Sequence, residues 1–199
     1  MSRHSQTKKL CFVTVGATAS FDRLIDSVIS PKVLKTLKEL GYTDVTIQYG
    51  DYSKSFFESV VKANSSTISE LGLTITGFDF RSYGLEDDML DAKGEWGNAE
   101  GVVITHGGSG TVLDALRLSV QLIVVPNSTL LDNHQAQLAE ALEGQGYVVY
   151  GNLNNLSAAL HESETLRQKH RTWPPVNSGT HRKARGVPGI VGDETGLTE

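Results

Sequence analysis

A single cysteine in 199 residues excludes a disulfide scaffold and points to a reducing, cytosolic setting. That residue, Cys11, lies in the apolar run Leu10-Cys11-Phe12-Val13 and reads as a small core residue rather than a nucleophile. No run approaches the roughly 20 apolar residues needed to cross a bilayer. The polar stretch 1–9 has no apolar segment of signal-peptide length, so any membrane association must be borrowed from something else. Basic charge is not in excess: 18 Lys and Arg stand against 23 Asp and Glu, which removes the electrostatic footprint of a general nucleic-acid binder. Aromatic residues are 7% of the chain and scattered, with no stacking platform and no internal repeat. Two familiar phosphate loops are also missing. No Gly-Lys-Ser/Thr follows a glycine cluster, and residues 106–111 lack the G-x-G-x-x-G spacing.

What is present is the stretch Val102-Val103-Ile104-Thr105-His106-Gly107-Gly108-Ser109-Gly110-Thr111. An apolar run of buried-strand type ends at Thr105, and a helical pattern (Val112, Leu113, Leu116) begins at Thr111. Three glycines in four positions let bare backbone approach a ligand, since glycine has no Cβ. The helix start behind them offers unpaired N–H groups and the positive end of the helix dipole. Strand, glycine turn and helix start together suit a phosphate-bearing ligand. Thr111-Val112-Leu113-Asp114 also fits a capping box, in which Thr111 and Asp114 merely satisfy the first helical N–H groups.

Strands are expected at 10–15, 45–49, 73–78, 102–105, 122–126 and 147–150, from their apolar, β-branched character. Helices are expected at 21–30 (capped by Ser20), from Pro31 to a stop at Gly41, at 53–63, near 85–92, at 111–118, at 133–145 (closed by Gly146) and at 154–161. A loose loop follows the helix near 85–92 and runs to Asn98. The alternation predicts an α/β fold, one Rossmann-like doubly wound parallel sheet. Domain limits follow from composition: a polar extension at 1–9, a ligand-binding domain at 10–165 and a tail at 166–199. The tail carries Trp173-Pro174-Pro175 and few aliphatics, and is either disordered or ordered only against a partner.

In such sheets ligands bind at the carboxyl ends of the strands, where Gly16, Thr18, Gly50 and the turn at 106–111 gather. A diphosphate takes backbone N–H bonds from 107–111, with the Ser109 and Thr111 hydroxyls assisting. Asp114, one turn beyond Thr111, suits a vicinal diol such as a ribose. The later loop Asp132-Asn133-His134-Gln135 sets four polar groups before a helix. Asp132 or Asn133 fits a helix cap, whereas His134 and Gln135 are not preferred caps.

His106-Gly107-Gly108-Ser109-Gly110-Thr111…Asp114, paired with Pro126…Asp132-Asn133-His134-Gln135…Ala139, resembles the donor-binding signature of GT-B glycosyltransferases that use UDP-sugars. It is most similar to the C-terminal half of the bacterial N-acetylglucosaminyltransferase that builds the peptidoglycan lipid precursor. Phe12-Val13-Thr14-Val15-Gly16-Ala17-Thr18…Phe21, Ile47-Gln48-Tyr49-Gly50, Gly77-Phe78-Asp79-Phe80 and Leu130-Leu131-Asp132-Asn133-His134-Gln135 resemble the asparagine-linked glycosylation thirteen family, over roughly residues 10–161. That resemblance implies transfer of N-acetylglucosamine (GlcNAc) from UDP-GlcNAc to GlcNAc-diphospho-dolichol, with inversion. It implies that His106, Gly107, Gly108, Ser109, Gly110 and Thr111 hold the diphosphate and Asp114 the ribose. His134 and Gln135 would hold the sugar hydroxyls, Asn133 belongs to the same substrate-binding set, and Gly16 and Thr18 would line the cleft facing the acceptor. It implies a partner as well: a membrane-anchored, acceptor-binding subunit of the asparagine-linked glycosylation fourteen family. The chain has length for only one of the two halves a GT-B enzyme closes over its substrates. It is then cytoplasmic, recruited to the cytosolic face of the endoplasmic reticulum membrane. No cofactor is implied, UDP-GlcNAc being a substrate, and the chain has no D-x-D motif of the GT-A manganese type. No residue of the pattern identifies itself as the general base.

The segment Ala92-Lys93-Gly94-Glu95-Trp96-Gly97-Asn98 reads as an insertion, and the tail after Trp173 follows the family loosely. Asp87-Asp88-Met89-Leu90-Asp91 matches a D-D-x-x-D magnesium-diphosphate pattern; a solvated helix face is the favoured reading, because chains of that class are helical throughout. A non-catalytic UDP-sugar-binding or scaffold subunit is the rival from a different class. An epimerase is disfavoured, since it too needs a second half.

Overall fold

The computed structural model describes residues 7–16, 20–127 and 134–172. The chain divides into two compact units, Met1–Arg167 and Gln168–Glu199; of the second, only 168–172 are among the described residues. In the first unit six strands are described: β1 (Lys9–Thr14), β2 (Asp44–Gln48), β3 (Thr74–Phe78), β4 (Ala99–Thr105), β5 (Leu122–Val124) and β6 (Val149–Tyr150). They form one sheet in the order β3-β2-β1-β4-β5-β6, with every pairing parallel. This is the α/β, doubly wound Rossmann-like sheet expected from the alternation.

Parallel central strands are covered on both faces, which is why β1 and β4 read as unbroken apolar runs. Cys11, Val13, Val102 and Ile104 enter one core with helices α1 (Asp22–Ile29) and α2 (Pro31–Glu39). Leu10, Phe12, Val103, Leu122 and Val124 enter a second core with α5 (Glu86–Lys93), α6 (Ser109–Leu118) and α7 (His134–Gly144). Phe12 and Cys11 are fully enclosed, and burial pushes the Cys11 thiol up to about 12. Cys11 is therefore an inert core side chain, as its apolar setting implied.

Most helix limits fall within a residue or two of expectation, α3 (Lys54–Ala63) among them. The departures have local causes. The N-cap of α1 is Phe21, not Ser20, and no side chain caps it; Asp22 opens the helix and accepts a 2.5 Å hydrogen bond from Ser53 Oγ. The chain turns at Asn64 into an unanticipated α4 (Ser65–Leu71), whose Ile68 and Leu71 alone reach the core. Two apolar contacts are too few to show as a period. The segment after α5 is a tight 3-10 turn, Glu95–Gly97, rather than a loose loop, and Trp96 there has φ +58°. The last helix, α8 (Leu156–Thr172), is twice the expected length. Its core-facing stripe passes from Leu156 and Leu160 to Ser163 and Arg167, so polar residues continue a helical period that hydrophobicity alone stops marking.

Candidate functional site

Strand order reverses direction between β1 and β4, which leaves a crevice beyond their carboxyl ends. The β1 end supplies Gly16 and the β4 end supplies His106, Gly107 and Gly108. The His106 N–H donates to the Thr14 carbonyl at 3.3 Å, tying the two loops together. The glycines here are required by contact. Gly16 has φ +84°, and a Cβ there would meet His106 Cε1 at 2.7 Å. A Cβ on Gly108 would meet His106 Nε2 at 2.7 Å, so the imidazole is clasped between two glycines. Gly107 has φ +89° and packs on Gln135 and Val124, where a Cβ would lie 3.3 Å from each. Burial holds the His106 pKa below its ordinary 6.5, the Thr14 backbone acting the other way, so the ring is neutral at pH 7. Its Nδ1 is buried without a hydrogen-bond partner among the described residues.

Helix α6 begins at Ser109, two residues earlier than its apolar pattern suggested. Its N-cap is Gly108, with no side-chain cap, and its first backbone bond runs from the Val112 N–H to the Gly108 carbonyl at 3.0 Å. The capping-box alternative is therefore incorrect: Thr111 is the third residue of the helix and caps nothing. The N–H groups of Ser109, Gly110 and Thr111 precede the first helical bond and point out of the helix start.

Beside this helix start lies a cleft of about 550 Å³. One wall is Gly110, Thr111, Asp114 and Arg117 of α6; the other is Tyr83, Leu85, Glu86 and Met89. Thr111 and Asp114 thus share one wall, as their spacing of three implied. Asp114 is more than half exposed and receives a 3.2 Å hydrogen bond from Arg117 Nη1, an exchangeable surface pair. The second wall is held by Arg81. Its guanidinium lies 4.0 Å from the Phe78 ring centroid, donates to the Tyr83 hydroxyl at 2.7 Å and grips the Asp88 carboxylate. Burial raises the Asp88 pKa, against the lowering pull of Arg81.

The D-D-x-x-D carboxylates are thus more than a solvated face: Asp88 is bound to Arg81, and Asp91 to Lys8 and Asn98. Among the described residues no group of three or more His, Cys, Asp or Glu is placed to hold a metal ion.

Of the later loop, Asn133 lies outside the described residues, as does Thr18. His134 is the exposed first residue of α7. Gln135 packs on Gly107, and its Oε1 accepts from the Asn127 N–H at 3.1 Å, so it braces the glycine turn against the β5–α7 loop. The structure therefore brings Gly16, His106, Gly107, Gly108, Ser109, Gly110, Thr111, Asp114 and Gln135 to one end of the sheet. Sequence reasoning missed the opposite wall, Arg117 and Gln48. Gln48 gave no signal of its own, because it continues the polar alternation of Asp44 and Thr46 along β2.

Among the described residues no helix is long and apolar enough to cross a membrane. The model of the glycosyltransferase family 28 C-terminal domain matches residues 10–174. UDP-N-acetylglucosamine transferase subunit ALG13 of Kluyveromyces lactis is 37% identical over 174 residues, covering 76% of this chain and 84% of that protein. An NMR solution structure of ALG13 superposes with a TM-score of 0.62 at 28% identity, over 89% of this chain and 94% of that one. The glycotransferase of kitacinnamycin, at 18% identity and a TM-score of 0.54 over 86% of this chain and 40% of its own, shares the fold. The chain belongs to the glycosyltransferase family 28 C-terminal domain family and, within it, to the ALG13-type subunits of UDP-N-acetylglucosamine transferase.

Proposed function

We propose that this glycosyltransferase subunit binds UDP-GlcNAc through residues 10–165 and transfers GlcNAc to GlcNAc-diphospho-dolichol with inversion. The observation that carries this reading is the uncapped start of α6 at the strand crossover, opening beside a cleft that Thr111 and Asp114 line. The N–H groups of Ser109, Gly110 and Thr111 receive the diphosphate, with the neutral His106 imidazole beside it. Asp114 exchanges Arg117 for the ribose hydroxyls. The uracil enters the cleft against Tyr83, Leu85 and Met89, which offer the apolar bed a planar base needs. GlcNAc then points toward His134 and Gln135, and the acceptor approaches from the side of Gly16.

In the transfer step the acceptor hydroxyl gives its proton to a general base, which we place on the second subunit, and its oxygen bonds to the sugar anomeric carbon as that carbon releases UDP. The departing UDP keeps the bonding electron pair, and its charge grows where the α6 dipole and N–H groups are already aimed. Such preorganised donors account for the acceleration without a cofactor. The relatives are named as transferase subunits, which supports a second polypeptide. We take it to be a membrane-anchored ALG14-type subunit supplying the acceptor half at the cytosolic face of the endoplasmic reticulum.

Co-purified subunits supplied with radiolabelled UDP-GlcNAc and a GlcNAc-diphospho-lipid should form the labelled disaccharide lipid. UDP-GlcNAc binding to the complex without any transfer would replace this reading with the scaffold one. Absence of both binding and transfer would remove it altogether.

A further inference from the structure

At the carboxyl end of β2, one buried amide is tied to three segments of the ligand-binding end. Gln48 is 2% exposed and stands in register with Thr14, the last residue of β1. Thr14 Oγ1 donates to Gln48 Oε1 at 2.5 Å and accepts from the Gly16 N–H at 3.3 Å. Gln48 Nε2 donates to the Gly16 carbonyl at 3.2 Å and to the Asp79 carbonyl at 3.0 Å. One amide thereby fixes the β1 turn, on which the His106 ring rests, and the β3 exit that leads through Arg81 to the cleft wall. The buried β2 neighbours Val45 and Ile47 are apolar. A buried amide costs free energy unless every polar atom is paired, and an aliphatic residue would fill the space without that demand. The residue is explained by what its bonds hold in place.

We infer that Gln48 and Thr14 form a positioning clamp that sets the Gly16 turn, and through it the His106 imidazole, for the diphosphate. The proposal rests on the UDP reading above. Neither residue touches the ligand; both act through Gly16 and His106.

The test measures UDP affinity of the full chain by calorimetry, together with the NMR resonances of the His106 ring in the unliganded protein. Gln48→Met keeps the volume and removes both donors. Thr14→Val keeps the shape and removes the hydroxyl. Each should weaken UDP binding about tenfold, the scale of one or two lost buried hydrogen bonds, and shift the His106 ring resonances. Thr14→Ser restores the hydroxyl and should return both readouts to wild type. Wild-type UDP affinity in Gln48→Met and Thr14→Val would overturn the clamp. So would weakening in Thr14→Ser equal to that in Thr14→Val, or weakening with the His106 resonances unmoved, since either would mark a purely structural role. A wild-type chain that does not bind UDP would instead show that the reading of the site has failed, and the clamp with it.

Discussion

At the amino end of the sheet Lys9, Tyr42, Glu164 and Arg167 satisfy one another, whereas at the carboxyl end the first N–H groups of α6 meet no side-chain cap among the described residues. Lys9 Nζ lies 2.8 Å from Glu164 Oε1, Tyr42 donates to the same oxygen at 3.0 Å, and Arg167 Nη1 binds Glu164 Oε2 at 2.5 Å. Arg167 also donates to the Gly101 carbonyl, fastening α8 to β4. Burial would raise the Glu164 pKa, but the Lys9 hydrogen bond and the Arg167 charge hold it below 4.5. Burial pushes the Tyr42 phenol up, and the Glu164 charge adds to it. The polar groups of one end are spent on each other. At the other end the Ser109, Gly110 and Thr111 N–H groups and the His106 Nδ1 have no side-chain partner among the described residues, Asp114 has only the exposed Arg117, and the layer beneath them, Thr14 and Gln48, is closed. On the proposed reading, stability and binding fall to opposite ends of one sheet, so each end can be broken without the other.

Substitution at the turn should have the largest effect. Gly108→Val forces its side chain into the His106 ring at the entry to α6. It should lower transfer by on the order of 100-fold, because a displacement of about 1 Å is enough for that. Thermal unfolding should move less than transfer does, since the residues that follow, Ser109 and Gly110, are exposed. At the opposite end, Arg167→Met removes the bonds to Glu164 Oε2 and to the Gly101 carbonyl while Lys9 and Tyr42 stay on Glu164 Oε1, and should cost about 2 kcal/mol of stability. Its UDP affinity, measured below the unfolding temperature, should stay at the wild-type value. Parallel losses of stability and affinity in both variants would erase the contrast between the ends.

Asp114→Ala removes a charged acceptor from the cleft wall and should raise the UDP-GlcNAc KM about tenfold. Thr111→Val, which loses a neutral hydroxyl, should raise it less. The smallest effect is a pH dependence. Glu164 has a depressed pKa in the folded chain, so its contribution is fully present above the unfolded value near 4.5 and is lost as pH falls through the folded value. Glu164→Gln should flatten the fall of the unfolding temperature below about pH 4.5 and leave UDP affinity at pH 7 untouched.

The carboxyl end of the sheet was far more legible in the sequence than the Glu164 cluster at the amino end. A glycine turn, a strand and a helix start are neighbours along the chain, so the residues at 102–114 announced their own geometry. That cluster joins residues 122 and 155 positions apart, and no local pattern connects Tyr42 or Lys9 to Glu164. Gln48 sits on the polar alternation of β2, and its meaning depends on lying beside Thr14, which is 34 positions away. The second cleft wall escaped for a similar reason. Asp88 and Asp91 of the helix behind it were read as solvated because the charges that bind them, Arg81 and Lys8, come from outside that helix. Local chemistry could be read from the sequence; which polar residues close on one another could not.

The most direct measurement is an NMR titration of the full chain with UDP, following backbone amide resonances. The largest shifts are expected at Ser109, Gly110 and Thr111, with smaller ones along the cleft at Tyr83, Leu85 and Asp114 and none at Lys9, Tyr42 or Arg167. Saturable shifts centred on the amino end, with the Ser109, Gly110 and Thr111 amides unmoved, would contradict the UDP reading.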